Sequence, residues 1–375
     1  MHSLDSLRRG ELAGATRLDL SCGLTELPSE VQSLADTLEV LNLSGNRLRS
    51  LPHWLSRFPR LRVVFGSDNP FTVLPEVLGE CPALEMVGFK ACDIVQVPGA
   101  ALPPRLRWLI LTDNAIHALP REVGERPRMQ KLMLAGNGLS ALPEGLAQAQ
   151  RLELLRISAN RFEVLPGWLT DLPRLSWLAL AGNPLGWSVA DGRLPVIDWA
   201  QVQMGERLGE GASGRTLAAR VADRDDDLAL KLFRGAVTSD GLPEHEMAAG
   251  AAAGAHPSMC TPVARLGGHP DGVMGLFLPR LPDGLQALAG PPSLASCSRD
   301  VYPDGWRISV APALRLLREM AQALAHLHGH GVLHGDFYAH NILWRHDTGH
   351  ALLTDFGAAA QLPDDDPRLA RALQA

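Results

Sequence analysis

Lysine is scarce in this 375-residue chain: of its 35 basic side chains only three are lysines, Lys90, Lys131 and Lys231. The formal net charge is −6 and the isoelectric point is about 6.1. The chain therefore lacks the basic excess of a protein that binds nucleic acid through its phosphates. It also lacks any run near the roughly 20 apolar residues that a membrane-spanning helix needs. We expect neither a nucleic-acid partner nor a membrane span.

Cysteines are few, and no two of the five form a Cys-x-x-Cys pair. Scattered cysteines of this kind are typical of reduced thiols in the cytoplasm rather than of a disulfide framework. The first residues, Met1 to Asp5, lack the basic and then apolar build of a secretory signal peptide. We therefore expect a cytoplasmic protein.

Repetition at a fixed period dominates the first half of the chain. The stretch Leu41 to Asn46 (LNLSGN) recurs, for example, as Leu132 to Asn137 (LMLAGN). Each repeat has one asparagine or cysteine at the same position, called a rung below, and successive rungs are 22 or 23 residues apart: Asn46, Asn69, Cys92, Asn114, Asn137, Asn160 and Asn183. A proline stands six residues after every rung but the last. This pattern resembles the leucine-rich repeat family over residues 16–188, in about eight units.

The resemblance implies a solenoid. A short strand in each repeat alternates inward leucines with outward residues, so one repeat cannot bury its own apolar face. Stacked repeats give a continuous core around a curved parallel sheet, in which the buried Asn or Cys side chain hydrogen-bonds to neighbouring turns. Residues 1–15, with Leu4, Leu7 and Leu12, are predicted to form an N-terminal helical cap.

Apolar side chains at outward strand positions would line the concave face of such a sheet. Outward apolar and aromatic residues on a polar surface are typical of a protein contact site. The candidates for binding a protein ligand are Phe65, Trp108, Met133, Leu154 and Trp177. The alternative is that the second half of the chain folds back onto this face.

A second domain is predicted over residues 201–375, after a linker at 189–200. It opens with a G-x-G-x-x-G cluster formed by Gly209, Gly211 and Gly214. Alone this pattern is weak, because dinucleotide-binding folds share it. However, a dinucleotide site would require a helix directly after the glycines, and the sequence there lacks the apolar periodicity of a helix. Instead an apolar, strand-like stretch carries Lys231, seventeen residues after the last glycine.

This order of features resembles the protein kinase family. The resemblance implies that the three glycines lie over the phosphates of ATP and that Lys231 binds those phosphates. A glutamate from a helix over about residues 240–253 would hold the lysine in place. We favour Glu246, which lies deeper in that helix, and Glu244 is the alternative.

A second group of motifs extends the resemblance. His334-Gly335-Asp336 is followed by Asn341 and then by Asp355-Phe356-Gly357, at the spacing of a kinase catalytic segment. The resemblance implies that Asp336 orients the substrate hydroxyl and accepts its proton. It also implies that Asn341 and Asp355 hold Mg²⁺.

The chain departs from the family pattern in four ways, of which the mildest is Thr216 in place of the valine over the adenine ring. Gly335 stands where an arginine usually lies, and residues 358–375 contain no serine, threonine or tyrosine, so control by activation-loop phosphorylation is not expected. Tyr338 replaces the lysine that serine/threonine kinases place beside the transferred phosphate. No Ala-Pro-Glu motif follows Asp355-Phe356-Gly357, so the domain is predicted to be truncated after this motif, with an incomplete C-lobe.

The sequence thus predicts an α/β leucine-rich-repeat solenoid followed by an α+β protein-kinase-like domain with an incomplete C-lobe. The leading functional prediction is an ATP- and Mg²⁺-dependent protein kinase, with serine or threonine favoured over tyrosine, that is targeted by its repeats. The first alternative is an ATP-binding scaffold without catalysis. The second is a small-molecule phosphotransferase, because the His-Gly-Asp motif also resembles aminoglycoside phosphotransferases.

Overall fold

The computed structural model describes residues 2–185, 194–211, 213–222, 224, 226–235, 237–238, 240–293, 296–297 and 300–362. The chain divides into two compact units. The first comprises Met1–Arg156 and Asn160–Leu175, and the second comprises Ile157–Ala159 and Ser176–Ala375. Part of the predicted linker, 189–193, and the end of the predicted second domain, 363–375, lie outside the described residues.

Within residues 2–185, the repeats form one sheet of eight short strands that follow each other in chain order. The pairs from β1 to β7 are parallel and stay in register, so that Leu18, Leu41 and Val64 lie side by side and are fully buried. Helix α1 (Leu4–Arg8) precedes the sheet and buries Leu7. The strands are β1 (Arg17–Asp19), β2 (Val40–Asn42), β3 (Val63–Phe65), β4 (Met86–Gly88), β5 (Trp108–Ile110), β6 (Lys131–Met133), β7 (Leu154–Arg156) and β8 (Trp177–Ala179). The predicted parallel sheet of stacked repeats is confirmed.

The asparagine rungs join successive repeats through backbone groups. Asn69 is typical: its Nδ2 donates to the carbonyls of Leu43 and Gly66, and its Oδ1 accepts the N–H of Leu48 at 2.9 Å. Cys92 replaces asparagine in one rung, and its Sγ lies 3.4 Å from the Gly66 carbonyl. Buried backbone groups need partners, so these side chains satisfy groups that the short strands leave unpaired.

Proline sets the start of the short 3₁₀ helices that connect the strands. Six such helices begin directly after Pro28, Pro52, Pro98, Pro120, Pro143 and Pro166, whose φ angles lie between −60° and −74°. The pyrrolidine ring fixes φ near −65°, so the repeated proline fixes the same entry direction each time. In the remaining full repeat, Pro75 precedes a four-residue α-helix instead, α2 (Val77–Glu80).

The second unit contains, among its described residues, a six-stranded sheet with the order β10-β11-β12-β14-β13-β9. Its elements are β9 (Val196–Asp198), β10 (Val202–Glu210), β11 (Gly214–Val221), β12 (Leu228–Phe233), α3 (Pro243–Ala253), β13 (Ala264–Gly267) and β14 (Gly275–Pro279). Neighbouring strands are antiparallel except β9 and β13. Because β9 belongs to this sheet, the described end of the predicted linker is an edge strand.

The rest of the second unit is built around one long helix. Its elements are β15 (Gln286–Ala287), α4 (Val310–Gly329), β16 (Val332–Leu333), β17 (Ile342–Trp344), β18 (Ala351–Leu353) and β19 (Ala360–Gln361). The buried face of α4, with Met320 and Leu327, packs in a core that includes Trp344 and Phe356. Among the described helices, none combines the length and the apolar composition of a membrane span.

The five candidates for ligand binding on the sheet differ in exposure. Met133 and Leu154 are 7% and 1% exposed, and Trp177 is 4% exposed. The Nε1–H of Trp108 donates to the Sδ of Met133 at 3.1 Å, which explains part of this burial. Only Phe65 and Trp108 keep part of their surface accessible, so the predicted contact face is narrower than the sequence suggests.

Candidate nucleotide-binding and catalytic site

A cleft of about 260 Å³ in the second unit brings the predicted nucleotide-binding residues together. This volume is near the lower end of ligand pockets, about 300 Å³. The lining comes from the β10–β11 hairpin, β12, α3, the segment between α3 and β13, β14 and the segment before Gly357: Gly209, Glu210, Gly211, Ser213, Gly214, Thr216, Lys231, Glu246, Cys260, Pro262, Leu276, Leu278, Thr354, Asp355 and Phe356. Predicted residues from four separate parts of the chain thus share one cleft.

The three glycines form the tip of the β10–β11 hairpin. The N–H of Gly211 donates to the carbonyl of Gly214 at 2.9 Å, which closes the turn. A side chain at Gly214 would collide with the backbone carbonyl of Leu232 on β12, whereas Gly209 and Gly211 have open space beside them. Gly214 is therefore required by strand packing, and the other two leave room for a ligand to approach the backbone.

Lys231 lies in the middle of β12, between the paired residues Thr216 on β11 and Leu276 on β14. Its Nζ lies 2.5 Å from Glu246 Oε1 and 3.6 Å from Asp355 Oδ1. Glu246 is 5% exposed, while Glu244 is an exposed residue of the same helix. The structure thus brings Glu246, and not Glu244, to the lysine.

The charges in this cluster are strongly coupled. Burial alone would lower the pKa of Lys231, but the carboxylates of Asp355 and Glu246 outweigh burial and raise it. Burial raises the pKa of Glu246 to about 7, against the opposing effect of the lysine. The raised pKa of Lys231 favours a charged lysine–carboxylate pair, whereas the raised pKa of Glu246 favours a neutral carboxyl group. We take the ammonium as charged, because Asp355, Glu246 and Asp240 all act on it, and the carboxylates share its single charge.

The loop 334–341 holds the predicted catalytic residues in a compact turn. The N–H of Tyr338 donates to the carbonyl of Asp336 at 3.1 Å, and Asn341 Nδ2 donates to the same carbonyl at 3.0 Å. Thr354 donates its N–H and its hydroxyl to the carbonyl of Asn341, at 2.9 and 2.8 Å. These bonds tie the loop to the residue that directly precedes Asp355.

His334 anchors the start of this loop. Its ring is 1% exposed and lies 5.2 Å from the ring of Phe356, and its Nε2 is 3.2 Å from the carbonyl of Thr354. Burial lowers the pKa of this histidine to about 4. A neutral imidazole donates one hydrogen bond, so His334 is a structural donor at neutral pH.

The far end of the loop depends on a residue that the sequence motifs did not identify. Asp300 accepts the N–H of Ala339 at 2.8 Å, and its other oxygen lies 2.5 Å from His340 Nδ1. Asp300 lies in a segment with no regular period and stands about forty residues before its partners. Local sequence patterns therefore carry no signal for it.

The apolar wall of the cleft was also missed. Leu276 and Leu278 of β14 line it together with Pro262 and Cys260. The alternation of these two leucines on a short strand is the signal that could have revealed them. An apolar wall beside a charged end suits a ligand with a flat base at one end and phosphates at the other.

The donor atoms present fit Mg²⁺ and a nucleotide. Asn341 uses its amide nitrogen within the loop, which leaves Oδ1 as its acceptor. The Asp355 side chain is 49% exposed and lies beside Lys231. Mg²⁺ prefers oxygen ligands and is commonly held by one or two carboxylates together with substrate phosphates.

Family models match both parts of the chain. Two leucine-rich-repeat models match residues 127–185 and 37–58, and a protein kinase domain model matches residues 297–372. The chain thus combines leucine-rich repeats with a stretch that is similar to protein kinase domains. The matched kinase residues include Asp336, Asn341 and Asp355, whereas the glycine hairpin and Lys231 precede the match.

Curated relatives of both kinds, a protein kinase and a leucine-rich-repeat protein, match parts of the chain. The serine/threonine-protein kinase pkn3 of Myxococcus xanthus is 26% identical over 170 residues, which are 44% of this chain and 29% of that protein. The PH domain leucine-rich repeat-containing protein phosphatase 1 of Homo sapiens is 32% identical over 92 residues, 24% of this chain and 5% of that protein. The chain thus spans less than a third of these curated relatives.

A solved leucine-rich-repeat protein of Leptospira interrogans is 27% identical to this chain. The likeness covers 48% of this chain and 52% of that one, with a TM-score of 0.40. With the family matches and the eight-stranded parallel sheet, the predicted succession of a repeat solenoid and a kinase-like domain is confirmed. The incomplete C-lobe stays a prediction, because residues 363–375 lie outside the described part.

Proposed function

We propose that the leucine-rich-repeat kinase transfers the terminal phosphoryl group of ATP to a hydroxyl of a protein substrate. The observation that carries this proposal is the contact of Lys231 with both Glu246 and Asp355 inside the cleft of the glycine hairpin. A buried lysine between two carboxylates is ordered and charged, which suits it to bind phosphate oxygens.

Each residue of the site has a distinct part in the proposal. Glu246 holds Lys231 in place, and the hairpin of Gly209, Gly211 and Gly214 offers open backbone for the phosphates. In the loop 334–341, Asp336 orients the substrate hydroxyl and accepts its proton. When bound to Asn341 and Asp355, Mg²⁺ would neutralise charge on the phosphates.

The test uses the full chain with Mg²⁺ and ATP labelled on its terminal phosphate. A generic protein substrate with serine, threonine and tyrosine is offered beside a panel of small alcohols. We expect label on protein, mainly on serine and threonine, and its loss in Asp336→Asn and Asp355→Ala. Label on a small alcohol alone would move the protein to the small-molecule phosphotransferases. Label that persists in Asp336→Asn would contradict the role of that residue.

A non-catalytic, nucleotide-binding scaffold is the second candidate. It is favoured by the burial of Asp336, which is 7% exposed, because a group that accepts a proton from substrate must be reached by it. Saturable binding of Mg-ATP with no label on any acceptor would support the scaffold over the kinase.

The repeats are proposed to bind a protein ligand, which would bring substrates to the kinase domain. The partly exposed Phe65 and Trp108 are the anchors that the structure leaves accessible among the predicted candidates. A cytoplasmic location is part of the same proposal and is supported by the scattered placement of the five cysteines, which do not form a Cys-x-x-Cys pair. A pulldown with the wild type and a Phe65→Ala/Trp108→Ala double variant tests the binding face.

A further inference from the structure

The last repeat strand contacts the catalytic loop inside the second unit. The N–H of Leu178 on β8 donates to the carbonyl of Gly335 at 3.0 Å. The hydroxyls of Tyr338 and of Ser176, which directly precedes β8, lie 2.7 Å apart and share a hydrogen bond. Strand β8 and the residue before it therefore bind the loop through both backbone and side-chain groups.

Trp177 covers the same loop with its ring. Its ring centroid lies 4.8 Å from that of Tyr338 and 5.6 Å from that of His340. Aromatic rings at such separations attract each other by more than the burial of their area. His340 also contacts the carboxylate of Asp300, so Trp177 and Asp300 both hold this end of the loop.

Gly335 lies so close to β8 that there is no room for a side chain. Its φ of +74° is a left-handed conformation that favours glycine. A Cβ atom at this position would lie 2.5 Å from the carbonyl oxygen of Leu178 and 2.5 Å from that of Ala358. By contrast, Gly331 has a φ of +65° and open space around it. The glycine in place of the family's arginine is thus explained by the approach of β8.

We propose that Trp177 and Ser176 are positioning residues for catalysis, which hold the loop 334–341 in the shape that aims Asp336 at its substrate. This rests on the proposed kinase function. Neither residue lines the nucleotide cleft, so they act on phosphoryl transfer and not on nucleotide binding. A displacement of about 1 Å in a catalytic group costs on the order of 100-fold in rate, which is how a contact outside the cleft controls turnover.

The first experiment compares Trp177→Ala with Trp54→Ala, a control that removes a partly buried tryptophan of the first unit. We expect Trp177→Ala to lower kcat by about tenfold or more, with the Kd for Mg-ATP unchanged. Trp177→Phe keeps an aromatic ring and restores most of kcat. Loss of nucleotide binding in parallel with kcat would overturn the proposal, because a general loss of structure would explain both.

The second experiment needs no activity and so separates this proposal from the kinase function itself. Hydrogen exchange by mass spectrometry compares peptides over residues 334–341 and 209–233 in the wild type and Trp177→Ala. We expect faster exchange in the first peptide alone, because local opening follows the loss of local contacts. Unchanged exchange there would overturn the proposal even if the wild type transfers phosphate. An absence of transfer by the wild type, with the expected exchange, would count against the kinase function only.

The glycine supplies a matched pair of variants. Gly335→Ala places a side chain against Leu178, whereas Gly331→Ala has the same backbone strain and no neighbour. We expect the first to raise exchange over 334–341 and to lower kcat, and the second to do neither. A rise in kcat for Gly335→Ala or Trp177→Ala would overturn the positioning role and make β8 an inhibitory cover.

Discussion

The repeats and the nucleotide cleft of the second unit bury polar groups in different ways. Each asparagine rung is a neutral amide that bonds to backbone groups, and the arrangement recurs from Asn46 to Asn183. In the cleft, Lys231 is a single charged group held by Glu246 and Asp355. Removing an amide leaves a few polar groups unpaired, whereas removing a charge leaves its buried partners uncompensated. Single substitutions in the repeats should therefore have small effects on stability, whereas single substitutions of the charged residues in the cleft should have large effects on nucleotide binding.

Loss of Lys231 should give the largest effect. In Lys231→Met, the carboxylates of Glu246 and Asp355 lose their cation and repel phosphate, so we expect the affinity for Mg-ATP to fall by at least about tenfold. Calorimetric titration of the full chain measures it. Lys90→Met is the matched control, since this lysine lies in the repeats. Equal affinity for Mg-ATP in Lys231→Met and the wild type would contradict the proposal that this cleft binds the nucleotide.

The two glutamates of α3 give the next effect. Glu246→Gln removes the charge that holds Lys231 at 2.5 Å, and we expect phosphoryl transfer to fall by about tenfold. The exposed Glu244→Gln should leave the rate unchanged. Initial rates with labelled ATP distinguish the pair. The reverse order of effects would show that the active arrangement uses the other glutamate.

His334 should make stability depend on pH. Burial lowers its pKa from 6.5 to about 4, so between those values the unfolded chain binds more protons than the folded one. The free energy of unfolding then falls as pH falls through this window, by on the order of 3 kcal/mol for this residue.

Urea unfolding of the wild type and His334→Gln at several pH values tests this. We expect the variant to lose part of the decline between pH 6.5 and 4, while the exposed His53→Gln keeps it. The raised pKa of Glu246, about 7, acts in the opposite sense, because stability from that group falls as pH rises. For this reason the difference between variants, and not the wild-type curve, is decisive. An unchanged difference across the window would contradict the burial of a neutral His334.

A rung of the repeats should give the smallest effect. Asn69→Ala leaves the N–H of Leu48 and the carbonyl of Leu43 without this partner, and we expect a loss of about 2 kcal/mol in stability. Cys92→Ala in the next rung removes only weak thiol contacts and should cost about 1 kcal/mol or less. Nucleotide affinity should not change in either. A collapse of nucleotide binding in Asn69→Ala would break the contrast between the two regions.

The sequence predicted the repeats well because each feature there is local and recurs. The rung spacing and the prolines specify strand, rung and 3₁₀ helix within 23 residues, so seven imperfect copies support one interpretation. The replacement of asparagine by Cys92 is absorbed locally, since the N–H of Phe71 bonds to the carbonyl of Asn69 instead. In the second unit, the spacing of the motifs was enough to predict that Lys231 and Asp355 share one cleft, and their side chains lie 3.6 Å apart.

What the sequence could not predict depends on contacts between distant residues. Glu244 and Glu246 both lie in the first turn of α3, and only the direction of the helix decides which one faces Lys231. Ser176 and Tyr338 are 162 residues apart, and no periodic pattern links them. Trp177 was correctly placed on a strand of the sheet, but its burial depends on what covers that strand.

The contact of β8 with Gly335 also bears on how such a protein can change over generations. Duplication or deletion of a 23-residue repeat ahead of Ile157 would lengthen or shorten the sheet and leave the second unit whole. Deletion of the last repeat would instead remove Ser176, Trp177 and Leu178 and expose the loop that contains Asp336. We expect related chains to vary in repeat number at the amino-terminal end and to keep the final repeat together with the second unit.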